Sequence, residues 1–209
     1  MRESYCTVTA PSRGEYEEKK SRFLGLLCPV SSEEEMQAVL AQVRKEHWEA
    51  RHHCYACRLQ RETVWEKASD DGEPAGTGGR PILDVIAGAG LTDVLCVVTR
   101  YFGGTLLGTG GLTRAYAAGA REALAGAQIV RRIPCIRARI ETDYGDVGRV
   151  LRLCESEKIR VADSEYGAGA SLTVLLPEGN DVFVRKLADA TAGRAGWIPG
   201  EPDWLEEKA

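Results

Sequence analysis

The sequence predicts an α+β protein of two domains, and three observations lead to this prediction. Apolar residues recur at helical spacing in some segments, whereas in others they alternate with polar residues or run together, as in strands. The pattern restarts at Gly126-Ala127-Gln128, after a helix rich in small residues. Beyond that point the order is strand, helix, strand, strand, helix, which is typical of a small split-βαβ, or ferredoxin-like, domain. We therefore predict domains at residues 1–127 and 130–209.

The composition predicts a cytoplasmic globular protein with no membrane partner. Of the 209 residues, 44% are hydrophobic and 28% are charged, and no apolar run approaches the roughly 20 residues that span a bilayer. The first segment, MRESYCTVTAPSRG, lacks the apolar core of a signal peptide. The seven cysteines are an odd number spread over the chain, as expected of free thiols in a reducing compartment.

The charge balance excludes a strong overall attraction to nucleic acid or anionic lipid. The formal net charge is −4 at pH 7, so no basic field surrounds the whole molecule. Between residues 131 and 160, however, eight basic residues stand against five acidic ones. Since this is the one clearly basic stretch, attraction for phosphate has to come from local clusters.

In the first domain, a capping box at Ser32–Glu35 precedes apolar residues at helical spacing and predicts a helix over 32–48. The preceding segment Arg22–Val30 is apolar enough for a buried strand. The runs Cys54–Leu59 and Thr63–Lys67 flank a short polar link and indicate a hairpin. This part of the chain is therefore predicted to hold three strands and one helix.

The rest of the first domain contains a loop, two helices and a central strand. Gly and Pro punctuate Ser69–Arg80, which we predict to be irregular, and a helix follows over Pro81–Gly88. The run Val94–Tyr101 is apolar on both faces until its last residues, as expected of a central strand. A helix should open near Gly110–Leu112, and its small residues indicate close packing against a sheet.

In the second domain, apolar and polar residues alternate over 135–141, which predicts a half-buried strand with one polar face. The predicted elements after it are a helix at Tyr144–Glu157, strands at Arg160–Tyr166 and Ser171–Leu176, a helix at Asn180–Ala192 and a last strand near Trp197.

The segment YFGGTLLGTGGLTRAY, residues 101–116, is the first candidate site. Its glycines are Gly103, Gly104, Gly108, Gly110 and Gly111. A glycine loop before a helix aims backbone N–H groups at one point, where the helix dipole adds about half a positive charge. Arg100 and Arg114 could reach an anion there. The spacing matches neither the phosphate loop nor the dinucleotide fingerprint, so the glycines could equally serve turns and close packing.

The loop before the second helix carries Asp70, Asp71 and Glu73. Three carboxylates in this spacing could bind Mg²⁺ or act as a general base, but such clusters are more often solvated turns. The glycine turn that follows ends at Arg80, which makes it a second candidate for anion binding. Both interpretations stay open.

Two other groups of residues, one of histidines and cysteines and one of arginines, are further candidate sites. The stretch HHCYAC contains His52, His53, Cys54 and Cys57, but no second ligand pair follows at zinc spacing, and a strand would split these side chains between its two faces. A catalytic Cys–His pair is conceivable, although a thiol on a half-buried strand is usually a small core residue. In the second domain, Arg137 and Arg139 share the polar face of a strand without an aromatic neighbour, which favours phosphate contact or a solvated surface over base recognition.

Three segments resemble the YigZ/IMPACT family: HHCYACRL, SDDGEPAGTGGRPIL and VVTRYFGGTLLGTGGLTRAY. The core Arg-Tyr-Phe-Gly-Gly-x-x-Leu-Gly, from Arg100 to Gly108, is a specific match. The resemblance covers about residues 15–127, and the remainder is similar to the small C-terminal domain of bacterial members. It implies a left-handed βαβ domain similar to domain IV of elongation factor G, followed by a ferredoxin-like βαββαβ domain similar to its domain V.

The resemblance also implies a role in translation or nucleic-acid binding, because the eukaryotic relatives regulate translation initiation under stress. Those relatives act partly through an additional N-terminal domain that binds a kinase activator, and we expect this chain to lack it. The family carries no established catalytic residue. The resemblance therefore favours anion binding by the glycine-rich segment, with no cofactor and no metal.

The sequence thus favours a non-enzymatic factor that binds RNA or a ribosome-associated partner. Arg80, Arg100, Arg114 and the glycine loops would form one contact surface, and Arg137 with Arg139 a second. The first alternative is an enzyme that acts on a phosphorylated small molecule, with a metal or base supplied by the three carboxylates of the acidic loop. The second is a protein–protein adaptor in which the glycines are only structural.

Overall fold

The computed structural model describes residues 2–208, which fall into two compact units. Residues 5–131, with residue 208, form the N-terminal unit, and residues 132–207, with residues 2–4, form the C-terminal unit. The predicted two-domain α+β architecture is confirmed. Within the described residues, no helix is both long and apolar enough to cross a bilayer.

The N-terminal unit is built on a five-stranded antiparallel sheet of order β2-β3-β6-β4-β5. Strands β3 and β4 both run antiparallel to β6 and are joined through α1, which makes a βαβ unit with a strand inserted at its centre. The elements are β1 (Tyr5–Val8), β2 (Ser12–Glu18), β3 (Ser21–Pro29), α1 (Glu33–Glu46), β4 (His52–Leu59), β5 (Trp65–Ser69), α2 (Gly79–Gly88), β6 (Val94–Tyr101) and α3 (Gly108–Ala125).

The predicted helices and the central strand of this unit are confirmed, whereas β1 and β2 were missed. Ser32 caps α1, because its hydroxyl accepts a hydrogen bond from the Glu35 N–H at 3.1 Å. The Glu35 carboxylate accepts a hydrogen bond from the N–H of Ser31, at 2.7 Å, rather than from that of Ser32. Only this second half of the predicted capping box is displaced by one residue. The segment between β5 and α2 is irregular, as its glycines and proline indicated.

Two hydrophobic cores lie on the two faces of this sheet. On one face, Ile86 of α2 and Tyr116 of α3 pack with Phe23 of β3. On the other face, Met36 of α1 packs with Val97 of β6. Because β6 contributes to both cores, every residue from Val94 to Arg100 is buried, as expected of a central strand.

Helix α3 lies unusually close to the sheet. A Cβ atom added to Gly25 of β3 would lie 2.2 Å from the carbonyl oxygen of Gly119 in α3. Such a distance is far below van der Waals contact, so two glycines let the backbones approach at this point. The small residues of this helix had predicted close packing, and the structure shows where it occurs.

The C-terminal unit has the ferredoxin-like element order βαββαβ, as predicted. Its sheet runs β10-β7-β9-β8, and helices α4 and α5 cover one face, where Val150 and Phe183 enter the core. The elements are β7 (Ile129–Thr142), α4 (Tyr144–Ser156), β8 (Arg160–Tyr166), β9 (Ala170–Pro177), α5 (Asp181–Thr191), β10 (Gly196–Ile198) and β11 (Pro202–Lys208). Strand β11, which also pairs with β7, was not predicted.

Candidate functional site

The carboxylates of the acidic loop hold that loop in shape. Asp70 accepts hydrogen bonds from the backbone N–H groups of Gly76, Gly78 and Gly79 at 2.8–2.9 Å. Burial opposes the ionisation of Asp70, but these three donors outweigh it and lower its pKa below the ordinary value. Asp71 accepts a hydrogen bond from the His53 N–H at 2.7 Å. Both side chains therefore satisfy backbone donors of the chain itself.

Glu73 forms a buried ion pair with Arg100. The Arg100 Nη1 donates to Glu73 Oε1 at 2.7 Å, and the two side chains are only 8% and 4% exposed. The Tyr116 hydroxyl donates to the same oxygen at 2.8 Å. Burial raises the pKa of Tyr116 above its ordinary value, so its hydroxyl stays protonated and remains a donor. The acidic loop is thereby tied to β6 and α3, on either side of the glycine-rich segment.

These contacts bear on the roles predicted for Arg100 and for the three carboxylates of the acidic loop. Arg100 neutralises Glu73, and its side chain is almost fully buried. Among residues 2–208, no group of three or more His, Cys, Asp and Glu side chains is placed to hold a metal ion. Asp70, Asp71 and Glu73 each accept hydrogen bonds from other residues of the chain. Their carboxylates therefore serve to order the loop.

The histidines and cysteines of β4 divide between the two faces of the sheet, as the alternation of a strand predicted. Cys54 belongs to the core beneath α2 and α3, whereas Cys57 belongs to the core beneath α1. The Cys54 thiol donates to the Asp70 carbonyl oxygen at 3.0 Å, and burial raises its pKa to about 12. His53 lies on the opposite face and contacts the Thr99 hydroxyl at 3.1 Å. Cys54 is therefore a protonated core thiol. His52, the other member of the conceivable catalytic pair, contacts the Asp71 carbonyl oxygen through Nδ1 at 2.9 Å.

The glycine-rich segment is shaped by its packing against the β2–β3 hairpin. The Gly103 N–H donates to the Ser21 hydroxyl at 3.0 Å, and a Cβ atom at Gly103 would lie 2.1 Å from the carbonyl carbon of Lys20. Gly104 and Gly108 adopt φ values of +88° and +70°. Helix α3 begins at Gly108 rather than near Gly110–Leu112, so Gly110 and Gly111 lie in its first turn.

The hairpin tip against which Gly103 packs consists of Lys19 and Lys20. These two residues connect β2 to β3, and their φ values of +48° and +62° are those that a type I′ turn requires. Such turns normally use Asn-Gly, because a side chain is strained at positive φ. Both lysines are exposed. These lysines are not among the residues predicted from the sequence, because β2 was not predicted. The available signal was a pair of residues between two segments in which apolar and polar residues alternate.

Arg114 lies within electrostatic reach of this hairpin. The Glu18 carboxylate raises the pKa of Tyr16 in β2, and the Arg114 guanidinium partly opposes that shift. Arg114 is exposed in the second turn of α3. Within residues 2–208, neither Arg114 nor Lys19 nor Lys20 forms a salt bridge, so their charges remain available to an external anion.

The other predicted arginines are paired on exposed surfaces. Their salt bridges join Arg80 to Asp84 at 2.8 Å, Arg137 to Asp203 at 2.9 Å and Arg139 to Glu141 at 2.9 Å. Exposed pairs of this kind are weak, so they remain able to exchange partners. Arg80 lies on α2, and the other two lie on β7, in the C-terminal unit.

Comparison with known proteins relates the whole chain to one family. Residues 19–124 match the model of the Impact N-terminal domain, and residues 140–194 match a domain of unknown function (DUF1949). The chain is 37% identical over 194 residues to the IMPACT family member YigZ of Escherichia coli strain K12, covering 91% of this chain and 95% of that protein. It belongs to the IMPACT family.

Two further comparisons extend over nearly the full length of this IMPACT family member. The protein YvyE of Bacillus subtilis strain 168 is 34% identical over 208 residues, which covers 99% of this chain and 96% of that protein. A crystal structure of a hypothetical protein, 36% identical, superposes with a TM-score of 0.63 and covers 96% of this chain and 99% of its own. Both units of the chain are thus covered by the match to these relatives.

In this IMPACT family member, the residues at the hairpin tip and at the start of α3 form what we call the hairpin–helix surface. It comprises Lys19, Lys20, the backbone N–H groups of residues 107–110, and Arg114. All of it lies in the N-terminal unit, and it falls within the match to the Impact N-terminal domain. The hairpin–helix surface combines three cations that form no salt bridge within residues 2–208 with backbone donors that the helix itself does not satisfy.

Proposed function

We propose that this IMPACT family member is a non-enzymatic, translation-linked factor that binds RNA, either free or in the ribosome, through the hairpin–helix surface. The observation that carries this proposal is the Lys19–Lys20 turn, whose strained lysines pack against the glycine loop that opens α3. Backbone strain that persists in a folded protein often marks a functional position. The link to translation rests on the family, whose eukaryotic members regulate translation initiation.

The chemistry of the surface suits a phosphate group. The first four N–H groups of an α-helix have no partner within the helix, and the helix dipole places about half a positive charge beside them. In α3 these groups belong to residues 107–110, where the exposed Gly108 and Gly110 leave the backbone accessible. Two lysines and Arg114 add full charges. Contacts of this kind hold a nucleic-acid backbone without reading its sequence.

The enzyme alternative finds less support in the site. It needs Asp70, Asp71 or Glu73 as a metal ligand or base. These carboxylates accept hydrogen bonds from Gly76, Gly78, Gly79, His53, Arg100 and Tyr116. Removing them from these partners would release the acidic loop. The hairpin–helix surface consists of two lysines, one arginine and backbone N–H groups, which suit an anion better than they suit proton transfer or the activation of water.

The double variant Lys19→Asn/Lys20→Gly tests the proposal, because it removes two charges while keeping the turn. Asn-Gly is the favoured pair for a type I′ turn, so we expect the fold to be retained. RNA affinity is expected to fall about tenfold or more at moderate salt, and the slope of log K against log salt to become shallower by about one to two. Filter binding and ribosome co-sedimentation at several salt concentrations measure both quantities.

A matched control is Lys45→Gln/Lys158→Asn, which removes two exposed lysines elsewhere. Lys45 lies in α1, and Lys158 also has a positive φ, +56°, but lies in the C-terminal unit. We expect this control to bind as the wild type does. Equal losses in the two variants, or an affinity that does not depend on salt, would show that the hairpin–helix surface is not the phosphate contact.

A further inference from the structure

We infer that the RNA bound by this protein is single-stranded, and that one unpaired base stacks on Phe102 in a cleft beside the hairpin–helix surface. This inference rests on the proposed function and names the kind of RNA that the surface receives. It is carried by three observations: an exposed ring held from beneath, a cleft next to it, and a buried donor that lacks an acceptor.

The cleft has a volume of about 750 Å³, which lies in the range of small-molecule sites. It is lined by residues 49–52, which lead from the α1–β4 connection into β4, and by Arg100–Phe102 and Leu106. His52 and Arg100 are partners in the pairing of β4 with β6. Phe102 immediately precedes Gly103, which touches the lysine turn, and Leu106 lies two residues before α3. A strand of RNA that crosses the hairpin–helix surface would therefore pass the opening of this cleft.

Phe102 is an aromatic platform of a kind that single-stranded nucleic acids use. Its side chain is 57% exposed, although large apolar side chains are usually covered. The Arg100 guanidinium lies 5.5 Å from the ring centroid, and Arg100 is itself fixed by Glu73. The cation–π contact supports the ring. Bases stack on such rings without regard to sequence, while cations nearby hold the backbone.

Arg100 supplies a second indication. Its Nε is buried and, among residues 2–208, finds no hydrogen-bond acceptor, although buried donors in proteins are nearly always satisfied. Arg100 also lines the cleft. The edge of a base carries carbonyl oxygens and ring nitrogens, so a base seated against Phe102 would bring acceptors close to the Arg100 side chain.

The residues at the start of β4 also line the cleft and can contact the edge of a base. Arg51 is exposed and offers guanidinium donors. His52 Nδ1 donates to the Asp71 carbonyl oxygen at 2.9 Å, which fixes the ring in place. A base that is paired within a duplex is covered on both faces by its stacked neighbours, so it cannot stack on Phe102. Recognition of this type therefore selects loops, ends and unpaired strands.

The test compares Phe102→Leu with the wild type on a short single-stranded RNA that contains 2-aminopurine, and on a duplex of the same sequence. In the wild type we expect tighter binding of the single strand and quenching of the 2-aminopurine fluorescence, since stacking quenches this base. Phe102→Leu removes the ring but keeps an apolar side chain. It should weaken single-strand binding about tenfold and abolish the quenching, with the salt slope unchanged. Trp48→Leu, which removes an exposed aromatic residue outside the cleft wall, should change neither quantity.

The outcomes separate this inference from the proposed function. If duplex and single strand bind equally, if Phe102→Leu retains the quenching, or if Trp48→Leu loses as much affinity, the base is not in the cleft and the inference is overturned. The proposed function survives those outcomes provided that Lys19→Asn/Lys20→Gly still weakens binding. If no RNA binds to the wild type at low salt, the proposed function itself is wrong, and the inference with it.

Discussion

Replacing Glu73 with alanine is expected to lower the free energy of unfolding by about 3–5 kcal/mol, the cost of removing one partner from a buried ion pair. The Arg100 guanidinium would keep its charge in the interior without a counterion, because both side chains are almost fully buried. The Tyr116 hydroxyl would lose its acceptor at the same time. Urea denaturation followed by far-ultraviolet circular dichroism measures the change.

A double variant separates the loss of the pair from the loss of packing. Glu73→Leu/Arg100→Met replaces both charges with apolar side chains, and we expect it to recover most of the stability that Glu73→Ala loses. Replacing Glu15, whose salt bridge to Arg22 is half exposed, should have little effect. If Glu73→Ala were no more destabilising than Glu15→Ala, the buried pair would not contribute to stability as we describe.

Gly25→Ala is expected to destabilise the N-terminal unit by about 3 kcal/mol, at the upper end of the usual cost of overpacking a core. The added methyl group would lie 2.2 Å from the Gly119 carbonyl oxygen and 3.1 Å from the Ala123 Cβ. The nearest atom belongs to the helix backbone, so α3 must move away from β3 to make room. Thermal unfolding, followed by circular dichroism, should show a clear fall in Tm.

Gly110→Ala provides the matched control, in the helix that Gly25 touches. Its added methyl group would meet only the end of the Arg114 side chain, at 3.7 Å. Alanine favours helix over glycine by about 0.5–1 kcal/mol, so this variant should be as stable as the wild type or more so. A Gly25→Ala protein with unchanged Tm would mean that the helix and sheet are not in such close contact.

Much of the fold could be predicted because its signals are local. The central strand Val94–Tyr101 is apolar on both faces, and the small residues of α3 predict close packing against the sheet. Strand β2 carries Gly14, Glu15 and Glu17, which give it little strand character on their own. It is a strand because β3 pairs with it along its whole length. Tertiary pairing decided the structure of this segment.

The candidate site was harder to predict, because its decisive contacts join distant residues. The glycine-rich segment drew attention to the start of α3, which does form part of the proposed surface. No local pattern shows that Arg100 pairs with Glu73, 27 positions earlier in the chain. Nor does it show that Lys20 lies against Gly103. From the sequence alone, Arg100 and the lysines of the turn are equivalent positive charges. The structure shows that Arg100 is buried, whereas the lysines of the turn are exposed.

The way in which the acidic loop is held has a consequence for hydrogen exchange. Loops are usually the first segments to open, with amides that exchange far faster than those of the core. In this loop, Asp70 holds the amides of Gly76, Gly78 and Gly79, while Glu73 ties the loop to the central strand. Opening the loop would expose the buried ion pair and weaken the contacts at the C-terminal end of β6. We therefore expect the amides of Gly76, Gly78 and Gly79 to exchange as slowly as those of the neighbouring strands, although the segment that carries them is irregular.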